Sequence, residues 1–197
     1  MRTDAKKNYD RLLAIAREAI AEHGADASLR DIARRAGVGL GTLYRHFPTR
    51  EALLEALLRA NLDELTRQAE RLETSDAPDV ALTSWFHAGL AFTRTYGGVV
   101  SLMAAALEDP DSALHTSCTD VRSAGARLLQ RAQAKGMARS DMDGTDLFAL
   151  MGALAWVGDQ PAFAKRVDHL SEVVANALLS GPWRLAAPSP KGATGMD

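Results

Sequence analysis

Cysteine is nearly missing. Cys118 is the single one in 197 residues, which rules out a disulfide within the chain and a thiolate-rich zinc site. Long apolar runs are missing too: no uninterrupted stretch reaches the roughly 18–20 residues that cross a bilayer as a helix. The basic start MRTDAKKNYDRLL is followed by no apolar segment of a secretory signal, so a cytoplasmic location without a membrane partner is expected. A GxxxxGK[ST] phosphate cradle and the strand before it are absent. So are a nucleophile–base–orienter set, paired carboxylates and any cofactor motif; neither an enzyme nor a cofactor is expected. His115 and Cys118 stand at i, i+3 in HTSC with Asp111 and Asp120 nearby, fewer convergent ligands than a metal sensor needs. Cys118 has no basic neighbour closer than Arg122 to lower its pKa, which leaves a redox switch without support.

What is present is helical almost throughout. Hydrophobic residues make up 47% and charged residues 24%, enough to bury a substantial core without covalent staples. Over about 5–23, Leu12, Ile15, Ala16, Ala19 and Ile20 share one face, and Gly24 stops the run. Ser28 is an N-cap with Asp31 three residues on, and Leu29, Ile32, Ala33 and Ala36 form one stripe. Gly37 supplies a turn, and a second short helix spans about 39–47, ended by Pro48. Thr49 then caps a long leucine-faced helix to about Leu72, followed by the polar ETSDAPD (73–79), the main break between head and body. Further helices are expected over about 79–96, 98–108, 110–135, 145–157 and 160–180, bounded by Gly97-Gly98, EDPD, Lys135-Gly136, SDMDGTD and Gly181-Pro182. The class is all-α, with about nine helices.

The net charge of −2 is unevenly spread. Residues 1–50 carry 10 Lys/Arg against 6 Asp/Glu, and residues 51–197 carry 13 against 19. A basic head on an acidic body suits an anionic partner for the head. The spacing of helix 28–36, the Gly37 turn and helix 39–47 is that of a helix-turn-helix. Packing Leu29, Ile32, Ala33, Val38, Leu43 and Phe47 inward leaves Gly41, Thr42, Tyr44, Arg45 and His46 outward. Those side chains suit a major groove: Gly41 permits close approach, and Gly39 leaves the first helical amides open to a phosphate. Ser28, Arg30 and Arg50 flank the unit, where phosphate contacts fix register.

The segment ASLRDIARRAGVGLGTLYRHFPTREALLEALL (27–58) resembles the N-terminal signature of the TetR family of bacterial transcriptional regulators. The resemblance rests on Ala36-Gly37-Val38, Gly41-Thr42-Leu43-Tyr44, His46-Phe47 and Arg50-Glu51-Ala52-Leu53-Leu54, and covers about residues 8–58. It departs at Gly39, where the family usually has a serine or other capping residue, and at Leu40, where a polar residue is common. The resemblance implies a three-helix DNA-binding head over 1–50, a ligand-binding and dimerisation body over 51–183, and a tail over 184–197 whose composition reads as disordered. It further implies a homodimer on a palindromic double-stranded DNA operator, released by a small-molecule effector. Thr42, Tyr44 and His46 are the expected DNA contacts, with Ser28, Arg30, Gly39, Gly41, Arg45 and Arg50 around them.

A regulator of this type needs a dimer surface, usually made by the last two helices. Here the candidates are Phe148, Met151, Gly152 and Ala155, then Leu170, Val174 and Ala177; both stripes are wider than one core contact requires. For the effector pocket the candidates are Trp85, Phe86, Phe92, Tyr96 and Met103, then Leu107, His115, Cys118, Arg122 and Trp156, a lining that suits an apolar or aromatic ligand. An all-α dimeric small-molecule-binding protein or enzyme without a DNA role would explain the body but not residues 27–58.

Overall fold

In the structure, a computed structural model, residues 2–23, 27–96 and 99–179 are described. Nine α-helices, one 3-10 turn and no strand occur among these described residues. The expected breaks at Gly24, Gly97-Gly98 and Gly181-Pro182, and the expected tail over 184–197, lie outside them.

The head comprises α1 (Arg2–His23), α2 (Leu29–Arg35) and α3 (Leu40–His46). Ser28 caps α2 as its side chain accepts from the Asp31 amide at 3.3 Å. Gly37 takes φ +65° between α2 and α3, a left-handed conformation that glycine adopts without a Cβ penalty. Leu12, Ala16, Ile32, Ala33, Leu43 and Phe47 fill the space between these helices and the start of α4, all at 3% exposure or less. Leu40 is half-buried and packs against this core, which accounts for its apolar character. Arg35 holds α2 to α1 through Glu22 at 2.8 Å and Glu18 at 3.2 Å.

The long α4 (Arg50–Leu72) belongs to both halves: its first turns pack on α1, and the rest packs on α5 (Pro78–Thr95) and α7 (His115–Ala134). Thr49 caps it by accepting from the Ala52 amide at 3.1 Å. The body adds α6 (Val99–Glu108), α8 (Gly144–Asp159) and α9 (Val167–Leu179). α7 lies between α4, α5, α6 and α8, and α9 rests on α5 and α8. The centre is Trp85, 1% exposed, whose Nε1 donates to the Leu65 carbonyl at 2.9 Å. A Cβ at Gly125 would stand 2.4 Å from the Trp85 ring, so α7 needs a bare backbone there to lie against the indole. α8 begins in a full capping box between Asp143 and Asp146.

Two expected helices start late. The segment 109–114 is turned, with Asp109 Oδ1 accepting from the Asp111 amide, and α7 begins at His115 rather than near 110. Likewise 160–163 is not helical; a 3-10 turn over Ala164–Arg166 precedes α9. Pro110 and Pro161, which lack the amide a helix interior uses, sit in both turns.

Candidate DNA-reading helix and body cavity

α3 presents its first turn bare. Its N-cap, Gly39, offers no side-chain cap, and a Cβ built at Gly39 or Gly41 would meet nothing within 4 Å. Neither glycine is demanded by packing inside the head, so their smallness faces outward. The Thr42 and Leu43 amides turn back to the Gly39 carbonyl, while the amides before them point along the helix axis, where the positive dipole end favours an anion. Tyr44 is 45% exposed with no polar partner among the described residues. Arg45 is exposed and its Nη2 donates to the Thr42 hydroxyl at 2.8 Å. His46 is half-buried, its ring edge-on to Tyr9 of α1 at 6.0 Å; that contact fixes the ring's direction.

The flanking residues differ among themselves. Arg30 is exposed and makes no hydrogen bond or ion pair among the described residues. Arg34 is paired with Asp31 at 2.5 Å, whose carboxyl it holds below the usual range. Arg50 donates from Nη1 to the Ala27 carbonyl at 2.8 Å, tying α4 to the entry of α2. Ser28 has its oxygen engaged in the α2 cap. Arg30, Gly39, Gly41, Thr42, Tyr44 and Arg45 are therefore presented to solvent or to one another, whereas Ser28, Arg50 and His46 have contacts within the head.

The body holds a cavity of about 490 Å³, open to solvent on one side and bounded by α4, α5, α6, α7 and α8. Leu62 and Leu65 of α4 form its floor; Phe92 of α5, Met103 and Leu107 of α6, and Val121 and Arg122 of α7 form its sides. α8 contributes a single stripe, Thr145, Phe148, Ala149, Gly152, Ala153 and Trp156, with Met151 beside it. Of the sequence-derived pocket residues, Phe92, Met103, Leu107, Arg122 and Trp156 come together on this wall. Trp85 and Phe86 are packed in the core away from it. Tyr96 stacks on Phe92 from outside the wall, centroids 5.5 Å apart. His115 lies at the α6–α7 junction, its Nδ1 2.9 Å from the Ala106 carbonyl oxygen. Cys118 is fully buried and off the wall; burial pushes its thiol up to about 11, so it stays protonated and inert at neutral pH.

The residues assigned to a dimer surface divide as well. Phe148, Met151 and Gly152 line the cavity, and Met151 and Ala155 are buried within the protomer. Leu170 and Val174 are half-buried and Ala177 is exposed. The outward apolar surface instead gathers Ala149, Ala153 and Trp156 on α8 with Val173 and Ala177 on α9, Trp156 at 59% and Val173 at 50% exposure. The wall residues Leu62, Thr93, Val100 and Ala104 carry no signal of their own; the six-residue stripe on α8 is the one pattern that periodicity reveals, and it does not tell a cavity from a contact surface. No group of three metal-ligating side chains occurs among the described residues, and no single described helix is long and apolar enough to cross a membrane.

With this geometry, the chain matches two families in succession. Residues 12–57 match the family described as bacterial regulatory proteins, tetR family, and residues 77–179 match the transcriptional regulator SbtR-like C-terminal domain. The chain is similar to the HTH-type transcriptional repressor KstR2 of Mycolicibacterium smegmatis, 32% identical over 155 residues that span 75% of this chain and 76% of the relative. Among solved structures it is similar to a TetR transcriptional regulator of Streptomyces coelicolor, 34% identical with a TM-score of 0.67, covering 87% of this chain and 98% of the other. A TetR regulatory protein of Mycobacterium vanbaalenii is 27% identical with a TM-score of 0.62, over 91% and 99% of the two chains.

Proposed function

Since the chain belongs to the TetR family and is a DNA-binding transcriptional regulator, we propose that it acts in the cytoplasm, without catalysis, as a homodimeric repressor of a palindromic operator that a small apolar effector releases. The observation that carries the operator part is the uncapped, side-chain-free start of α3 beside exposed Tyr44, Arg45 and Arg30. Tyr44 and Arg30 reach phosphates, Arg45 and Thr42 face the groove floor, and the α3 amides receive a phosphate. Ser28, His46 and Arg50 hold these elements in register. The exposed apolar strip of Trp156, Val173 and Ala177 supports a partner copy against α8 and α9.

Release has a physical route through this chain's own side chains. Phe92 lines the cavity and stacks on Tyr96. The Tyr96 hydroxyl accepts from Asn61 of α4 at 3.0 Å and faces Arg17 of α1. Burial raises the Tyr96 pKa, with the Arg17 charge and the Asn61 hydrogen bond opposing it. A ligand that displaces Phe92 moves a group held jointly by body and head, and α4 carries the cavity floor at one end and the head at the other. Such coupling requires the two head orientations to bind effector differently.

The test is selection of bound duplexes from a random DNA pool by the full chain, followed by affinity at two salt concentrations and mass by sedimentation. A palindrome, a dimer mass and an affinity that falls steeply with salt are expected, because several phosphate contacts release counterions. A folded dimer that selects no sequence, or a monomer that selects a single half-site, would overturn the proposal.

A further inference from the structure

The cavity wall is nearly all hydrocarbon, and its polar interruptions are Thr93, Glu108, Arg122 and Thr145. The Thr93 hydroxyl is spoken for, donating to the Leu90 carbonyl at 2.9 Å. Thr145 is exposed in the first turn of α8, and its amide donates to Asp143 at 2.7 Å. Glu108 is exposed at the end of α6. Arg122 is different, because it is half-buried and makes no hydrogen bond or ion pair among the described residues.

The other half-buried arginines set the standard. Arg35 is held by Glu22 and Glu18, Arg50 by the Ala27 carbonyl, Arg131 by the Leu72 and Ser75 carbonyls, and Arg139 by Asp141. Partial burial of a guanidinium is costly unless its donors are met, and among the described residues four of five such groups are met from within. Asp143 feels the Arg122 charge as the weakest influence on its lowered pKa, the Thr145 and Asp146 amides on its Oδ1 being the stronger ones, and no hydrogen bond joins it to Arg122. Arg122 thus stands on an apolar wall with its planar fork unfilled.

We infer that the cavity takes an apolar molecule ending in a single carboxylate, which Arg122 receives; the inference rests on the reading of this cavity as the effector site. A carboxylate matches the guanidinium fork with two parallel hydrogen bonds. The ligand carries one negative charge rather than two, because Arg122 is the one cation on the wall among the described residues and Glu108 repels a second anion. The remainder of the ligand is hydrocarbon, aliphatic or aromatic, of a size suited to about 490 Å³, toward the lower end of the range for small-molecule sites.

The experiment is calorimetric titration of the full chain with decanoate and phenylbutyrate, against the matched alcohols decanol and phenylbutanol, and with the dianion of decanedioic acid. Each acid is expected to bind about tenfold or more tighter than its alcohol, with the dianion weaker than decanoate. Arg122→Gln should bring the acid-to-alcohol ratio close to one and leave alcohol affinity and the far-UV helical signal unchanged. Arg122→Lys should restore part of the ratio, and Glu108→Gln should narrow the gap between mono- and dianion. A ratio near one in the unsubstituted protein, a ratio that survives Arg122→Gln, or a folded protein that binds none of these probes would overturn the inference. Operator affinity measured alongside separates it from the release mechanism. Alcohols that release DNA where acids are inert would overturn the carboxylate assignment and leave release standing. Acids that bind through Arg122 without weakening DNA binding would uphold the assignment and overturn release.

Discussion

Arg35 in the head is clamped by two glutamates, whereas Arg122 in the body lines an apolar cavity and makes no hydrogen bond or ion pair among the described residues, and the contrast extends through both regions. The head is small, built from three helices in which Arg34 and Arg35 are paired with carboxylates, and its exposed Tyr44, Arg45 and Arg30 lie on α2 and α3. The body is larger, keeps a cavity between α4 and α8, and exposes hydrocarbon on α8 and α9. A surface that must fit the regular geometry of a duplex gains from rigidity, since loose side chains lose entropy on binding. A cavity that must respond to a ligand gains from weak filling, since close-packed interiors do not deform continuously.

The comparison breaks most sharply where a core residue of the head is removed. Leu43 is fully buried on α3, and Leu43→Ala should cost about 2–5 kcal/mol. Operator binding should vanish while the sedimenting mass of the protein is unchanged; a mass that falls as well would show that head and body do not stand apart. The matching change in the body is Gly125→Val, which drives a side chain into Trp85. It should cost about 1–3 kcal/mol, seen as a lower Tm and a red shift of Trp85 emission.

Tyr44→Ala sharpens the comparison without unfolding anything. The side chain is exposed and has no polar partner among the described residues, so the thermal midpoint should hold. Operator affinity should drop roughly tenfold or more if the hydroxyl meets a phosphate; unchanged affinity would remove Tyr44 from the interface. The smallest effect is expected at Cys118. Burial lifts its thiol from 9.0 to about 11, so between those values the unfolded chain releases a proton that the folded one keeps. Stability from this group is therefore complete below pH 9 and declines as pH rises toward 11. Cys118→Ala should flatten that alkaline slope in denaturation curves, and a thiol reagent at neutral pH should label the native protein far more slowly than the unfolded one.

The two halves also differed in how much their sequences disclosed. Around the helix-turn-helix the expected spans 28–36 and 39–47 meet Leu29–Arg35 and Leu40–His46 almost residue for residue, because Ser28, Gly37, Pro48 and Thr49 are local signals that act within one turn. In the body, the starts of α7 and α9 fell five to seven residues later than expected, since apolar periodicity runs on through turns that only Pro110 and Pro161 punctuate. The cavity was legible in part. Phe92, Met103 and Trp156 were recognisable as aromatics and a methionine on apolar faces, but nothing in their spacing separates them from Trp85 or Phe86, which face neighbouring helices. Which stripe faces which neighbour is decided by crossing angles, and those depend on pairs of helices that are distant along the chain. Leu62 and Leu65 are the plainest case: ordinary leucines of a leucine-faced helix that happen to pave a cavity floor.

Trp156 sits at the rim of the cavity and is more than half exposed on the outer face of α8, while Trp85 is sealed and hydrogen-bonded. Once Trp183 is replaced by Phe, the two remaining indoles form an internal optical ratio. Trp85 supplies a steady reference, and Trp156 responds to quencher, to filling of the cavity and to coverage by another copy. Acrylamide quenching against protein concentration and against added ligand would then resolve assembly and occupancy in one cuvette, with no label attached.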